Sequence, residues 1–309
     1  MRIVKRNALP AAAGGVPASR PSGATWFRWR RTLPLRAALA VATGLVVSAA
    51  PGVAQSRIFP DTPSFELPLA SPRVTGLVGR VIDTKRADNL FGPEREADVG
   101  VGEDFPVLAL RRGARPISLG FGVAAYGRFS LDDPRSSLIS NDWTVGFNVN
   151  WMVDSTWSLV GQLYHESSHL GDEYAETFGA GRIDWTREVS VAWAVWHRGA
   201  WKVMGGPSLV LVDRPRLKRW GGSLGVDYRG SRFALLGQPA QPIAGVFADG
   251  YQATDWKVGK DLKLGIAFPG AREGRELTLA FIFHDGKSTQ RQFYTKDSRY
   301  LGMEIGFQL

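Results

Sequence analysis

Two histidines, two serines and three acids fall within eleven residues, Tyr164-His165-Glu166-Ser167-Ser168-His169-Leu170-Gly171-Asp172-Glu173-Tyr174. His165-Glu166-x-x-His169 satisfies the zinc-hydrolase pattern, in which two histidines hold one ion and the glutamate acts as general base. That chemistry needs a helix, where positions i and i+4 lie about 6 Å apart on one face. On a strand the same two side chains stand about 13 Å apart and cannot share an ion. Gly171, close behind His169, also departs from the extended zinc-protease spacing. A strand divides the run differently, with His165, Ser167 and His169 on one face and Tyr164, Glu166 and Ser168 on the other. A third reading is structural: a polar cluster at a rim, hydrogen-bonding a loop or lipid headgroups, with Gly171 making the turn.

The surrounding chain favours the strand. Segments of ten to fifteen residues with apolar side chains at alternate positions recur from residue 74 onward, separated by turn residues. Trp143, Val145, Phe147, Val149 and Trp151 share one face of 142–153, opposite Thr144, Gly146, Asn148 and Asn150. Leu301, Met303, Ile305, Phe307 and Leu309 alternate with Gly302, Glu304, Gly306 and Gln308 at the C-terminus. Ile183, Trp185, Val189, Val191, Trp193 and Val195 keep one parity, interrupted by Arg187. Polar opposite faces, tryptophans near strand ends and an apolar C-terminal strand predict an all-β, antiparallel transmembrane β-barrel, not a soluble sandwich. A closed barrel is the only sheet that satisfies every backbone group in lipid.

Twelve segments are expected: 74–84, 96–110, 116–128, 142–153, 156–169, 177–197, 200–213, 219–230, 242–252, 255–268, 275–285 and 299–309. In the middle of this series, 231–241 is long where a short turn is due. With both termini periplasmic, 156–169 runs outward, and His165, Ser167 and His169 face lipid near the outer rim. Polar groups facing hydrocarbon are costly and call for a reason. The large side chains Gln162, Tyr164, Arg182 and Glu188 are expected inside the lumen.

The 309 residues carry a net charge of +9, but residues 1–54 hold eight basic side chains and no acid, leaving +1 for the remainder. The basicity therefore belongs to the leader, and a nucleic-acid partner is not expected. A basic stretch up to Arg36, the apolar run Ala37–Ala50 and the small residues Gly52 and Ala54 predict an export signal cleaved after Ala54, with a long prefix. Residues 55–73, rich in proline, read as an extended plug or periplasmic lead-in. The absence of cysteine excludes disulfides, thiolate metal sites and a cysteine nucleophile. No cofactor or metal is expected. The expected partners are outer-membrane lipids and, through the last strand, the barrel-assembly machinery.

The His165-x-Ser167 pair resembles the outer-membrane phospholipase A and lipid A deacylase families. That resemblance implies His165 as general base to Ser167, with acyl chains arriving laterally from the membrane. The polar residue that orients the histidine is then sought among Asn141, Asp172 and Glu173, because the next strand's lipid face is read as Ile183, Trp185 and Arg187. The whole run Tyr164-His165-x-Ser167-Ser168-His169-Leu170-Gly171-Asp172-Glu173 is similar to the signature of an uncharacterised proteobacterial family, domain of unknown function 1207. Gly127-Arg128-Phe129-Ser130-Leu131-Asp132 and Asn141-Asp142 extend the resemblance. It implies an outer-membrane barrel across roughly 70–309 and brings no activity. Position 166 is not part of that signature, which weighs against the protease reading.

Overall fold

The structure, a computed structural model, describes residues 55–60, 65–73, 75–112, 115–271 and 274–308. The expected leader at 1–54 and the terminal Leu309 lie outside them. Alternating apolar sequence produces fourteen strands among the described residues: β1 (Gln55–Ile58), β2 (Gly76–Arg86), β3 (Arg95–Arg112), β4 (Arg115–Ser130), β5 (Leu138–Met152), β6 (Trp157–Leu170), β7 (Trp185–Arg198), β8 (Trp201–Arg214), β9 (Trp220–Arg229), β10 (Phe233–Leu235), β11 (Gln238–Tyr251), β12 (Gly259–Pro269), β13 (Glu276–Lys287) and β14 (Asp297–Gln308). Helix α1 (Asp172–Phe178) lies between β6 and β7. Every sequential neighbour from β2 to β9 pairs antiparallel, then β9 with β11, and β11 through to β14. β14 returns to β2 through the register Met303↔Val81 and Ile305↔Gly79, closing a twelve-stranded barrel. Closure leaves no lipid-exposed sheet edge.

One expected segment and one expected connection change shape. The one at 177–197 begins in α1, which ends at Gly179 in the left-handed conformation (φ 59°), and its strand starts only at Trp185. The long stretch 231–241 is a small extra hairpin, β10 on β11, turned at Leu236 and Gly237, both with positive φ. Two consecutive positive-φ residues twist a hairpin turn to match the flanking strands.

The connections at one rim are long: 87–94, 131–137, 171–184, 215–219, 252–258 and 288–296. At the other they include the tight turns 153–156 and 199–200. Outward faces carry the expected apolar rows, with Phe147 64% exposed and Met303 62%. Trp151, Trp157 and Trp201 face outward near the short-turn rim.

β7 overturns the expectation. Trp185, Arg187, Val189, Val191, Trp193 and Val195 are all buried and point into the lumen, while Thr186, Glu188 and Ser190 take the outer face. The inner face of β7 is dry because Phe65 and Leu67 of the segment preceding β2 pack against it. Val160, Val189, Val191, Trp193, Val195, Met204 and Phe247 complete this luminal cluster. Gln162 and Tyr164 face inward as expected; Glu188 does not, and Arg182 sits in the loop after α1. The remainder of 65–73 is tied to the wall: the Leu69 N–H donates to Asp227 Oδ1 at 2.9 Å, and Arg80 donates to the Pro72 carbonyl at 2.9 Å.

Candidate functional site

β6 carries the run as an extended strand, so His165 and His169 are two pleats apart and the helix that zinc binding requires does not form. Among the described residues no cluster of three or more potential ligands could hold a metal ion. The zinc-hydrolase reading is thereby corrected.

The strand puts His165, Ser167 and His169 on the outer face, and Glu166, Ser168 and Leu170 on the inner one. The β6–β7 register sets His165 opposite Glu188, Glu166 opposite Arg187 and Ser167 opposite Thr186. On the other flank Asn141 faces His169, and Trp143 faces Ser167. His165 Nδ1 lies 2.8 Å from Glu188 Oε1, and both side chains are partly exposed on the outside of the barrel (39% and 44%). A carboxylate only accepts, so Nδ1 is the donor in this contact and Nε2 is left for another partner. Ser167 is two residues along the same face, with Cβ atoms about 7 Å apart, a gap that an imidazole and a hydroxyl span between them.

The partner of His165 is therefore Glu188, and not Asn141, Asp172 or Glu173. Asn141 accepts from Trp143 Nε1 at 3.1 Å, Asp172 pairs with Arg182, and Glu173 is exposed in the first turn of α1. Glu188 is hidden from sequence reading because the alternation of β7 by itself points its apolar face to lipid and Glu188 to the lumen. The usable signal was the alternation Thr186-x-Glu188-x-Ser190, which matches the polar face of β6.

The depth of the site follows from strand geometry. His165 is eight residues above Trp157, about 20 Å along the membrane normal at ~3.3 Å rise and ~40° tilt. Ser167 sits beside the outward Trp143, 49% exposed, at the other aromatic girdle. An apolar band of about 25 Å separates such girdles. Ser167 thus lies level with Trp143, about 25 Å along the barrel axis from Trp157 and below the long-loop rim.

The inner face of the same rungs is a buried ion network. Glu166 accepts from Arg187 Nη2 (2.8 Å), Arg291 Nε (2.9 Å) and Trp185 Nε1 (3.0 Å). Arg73 pairs with Asp142, and Arg128 donates to Asp98 Oδ2 at 2.8 Å and to Thr289 Oγ1 at 2.9 Å. A cavity of about 200 Å³ lies among Phe65, Tyr164, Glu166, Trp193 and Phe247. The rest of the run builds the rim. Leu170 and Tyr174 are buried with Ile139 against Phe91, Phe178 and Phe293. A Cβ on Gly171 would fall 1.7 Å from the Leu138 carbonyl oxygen, so only glycine fits there. Burial pushes the Tyr174 hydroxyl up, and its oxygen accepts from the Leu90 N–H at 2.8 Å.

A model of one family, described as Protein of unknown function (DUF1207), matches residues 32–309. The chain belongs to that family. The expected membership of that family therefore holds. No curated protein sequence matches the chain. Among solved structures it is similar to the Salmonella typhi outer membrane phospholipase dimer with bound calcium, at 14% identity and a TM-score of 0.52, covering 80% of this chain and 94% of that one. It is also similar to an active-site mutant of Escherichia coli outer membrane phospholipase A, at 15% identity and a TM-score of 0.51, covering 81% and 94%. At such identity the likeness shows the fold: this DUF1207 chain is a closed β-barrel of the kind found in outer-membrane proteins.

Proposed function

We propose that the protein is an acyl-ester hydrolase of the outer membrane, with Ser167 as nucleophile, His165 as general base and Glu188 as the residue that orients the imidazole. The observation that carries it is the 2.8 Å His165–Glu188 contact on the lipid-facing side, on the rung next to Ser167. A histidine–carboxylate pair exposed to hydrocarbon is costly unless it works there. The order carboxylate, Nδ1, Nε2, hydroxyl is the arrangement that activates serine.

A lipid diffusing in the outer leaflet places its ester carbonyl against Ser167. The Ser167 oxygen attacks the carbonyl carbon as its proton passes to His165 Nε2. The ester bond breaks, and His165 returns that proton to the departing alkoxide. That departure frees the lysolipid; water, deprotonated by the same imidazole, then cleaves the acyl-serine, and the proton passes from His165 back to the Ser167 oxygen as the fatty acid leaves. Glu188 holds the Nδ1–H and stabilises the imidazolium. Thr186 and His169, the outward polar groups flanking Ser167, donate to the carbonyl oxygen as it becomes negative. The two phospholipases of like fold, and the His165-x-Ser167 resemblance, support the same reaction class. The luminal segment 65–73 serves as a plug, and the outward row Leu301, Met303, Ile305 and Phe307 of β14 is the recognition element for the assembly machinery.

The test is fatty-acid release by the purified protein in detergent mixed micelles with phospholipid or lipid A. Wild-type protein releases fatty acid and reacts covalently with a fluorophosphonate at Ser167. Ser167→Ala protein loses both. Release that persists unchanged in Ser167→Ala would overturn the reading.

A further inference from the structure

The rung that holds Ser167 continues across β7 onto β8. Ser167 pairs with Thr186, and Thr186 pairs with Arg214. At two strand spacings the Ser167 and Arg214 Cα atoms are about 10 Å apart on the outer face. Arg214 faces outward because of a bulge. The β7–β8 register shifts between Glu188 and Val189, so Val189 pairs with Val210 while Glu188 pairs with Val212. Below the bulge the even residues of β8, Met204, Ser208 and Val210, are buried; above it Val212 and Arg214 are exposed. Bulges re-aim side chains in this way beside functional sites.

Arg214 opens a basic connection, Arg214-Pro215-Arg216-Leu217-Lys218-Arg219, leading to the outward Trp220, which is 51% exposed. Asp213, the one acid beside it, caps the loop by accepting from the Leu217 N–H at 2.6 Å. Arg214 touches Asp184 at 3.3 Å in an exposed pair, and Lys218 pairs with the exposed Asp255. Among the described residues Arg216 and Arg219 make no ion pair. An exposed pair of the Arg214–Asp184 kind is worth at most about 1 kcal/mol, so it yields readily to a stronger anion. A phosphate accepts two parallel guanidinium N–H groups and is such an anion.

Resting on the hydrolase reading, we infer that Arg214, backed by Arg216 and Arg219, is the docking site for a lipid phosphate, so that the substrate is an acyl lipid with a phosphate a few bonds from its scissile ester. Arg214 takes the phosphate at headgroup level. The acyl ester then falls two strands across at Ser167, and the chain lies along the apolar wall of Val145, Leu159 and Leu163.

The test compares kcat/KM in mixed micelles for phosphatidylglycerol, lipid A and phosphate-free diacylglycerol. Wild type prefers a phosphate-bearing lipid over diacylglycerol by tenfold or more, and the better of the two names its source. Arg214→Gln lowers that preference at least tenfold, chiefly through KM, and Arg214→Lys restores part of it. Retention of phosphatidylglycerol by Ser167→Ala protein, read by native mass spectrometry, separates binding from turnover: adding Arg214→Gln reduces it severalfold, and excess inorganic phosphate does not displace the lipid. Preference and retention unchanged in Arg214→Gln would overturn the docking site. If wild type cleaves no ester while retention still falls, the hydrolase reading fails and the phosphate site stands.

Discussion

Glu166 and Glu188 occupy opposite faces of neighbouring rungs and do different work. Glu188 is outside, where its side chain meets His165, and in the proposed mechanism it serves chemistry more than folding. Replacing it with glutamine keeps the size, removes the charge that fixes the imidazole, and is expected to lower kcat about 10²–10⁴-fold. The barrel is expected to stay folded, checked by the shifted gel migration of unheated protein. Glu166 is inside, 2% exposed, and is the carboxylate that Arg187 and Arg291 share. Glu166→Ala leaves two guanidinium groups buried without their carboxylate and is expected to cost about 3–5 kcal/mol. Urea unfolding of detergent-solubilised protein measures it. A Glu166→Ala protein that unfolds like wild type would contradict the structural role. Gly171→Ala forces the Leu138 carbonyl aside and is expected to loosen the rim by about 1–3 kcal/mol.

The decisive element is β7. Its sequence shows a clean alternation, and alternation alone does not say which face meets lipid when the lumen holds its own apolar filling. Phe65 packs at a tilt against Trp193, ring centres 6.3 Å apart, and this contact draws the apolar face inward. The consequence reaches the outer surface, because turning Val189 and Val191 inward turns Glu188 and Thr186 outward beside His165 and Ser167. Trp193→Ala is expected to cost about 3–5 kcal/mol of stability, the range for a buried aromatic, whereas a lipid-facing tryptophan such as Trp157 costs less. Single cysteines give a direct readout. A lipid-soluble maleimide is expected to label Ala192→Cys in micelles and to leave Val191→Cys unmodified; the reverse pattern would place β7 the other way round. α1 and the Gly171 turn above it close the rim over this pair of strands, with Tyr174 as the buried anchor.

For the whole molecule, a twelve-stranded ring provides a wall and the interior decides whether it is a channel. Arg80, Arg128, Lys263 and Glu304 cross-link the lumen through buried ion pairs, and 65–73 runs along its inner wall. In planar bilayers the protein is expected to show no stepwise conductance, and a chain lacking 65–73 to conduct; conductance by the intact chain would show that the filling moves. The architecture was legible from the sequence because a strand in lipid must alternate, and the alternation of 142–153 and 299–308 records which side meets hydrocarbon. The family itself was recognisable from the sequence, and the shared face of His165, Ser167 and His169 follows from the two-residue period alone. Glu188, Arg214 and the Glu166–Arg187–Arg291 cluster were not legible in this way. Their roles depend on register, on a bulge that shifts parity by one residue, and on a segment about a hundred residues upstream that dries one side of the lumen. Local sequence sets which residues share a face of a strand; only closure of the ring, with its contents in place, sets which way that face points and what stands next to it.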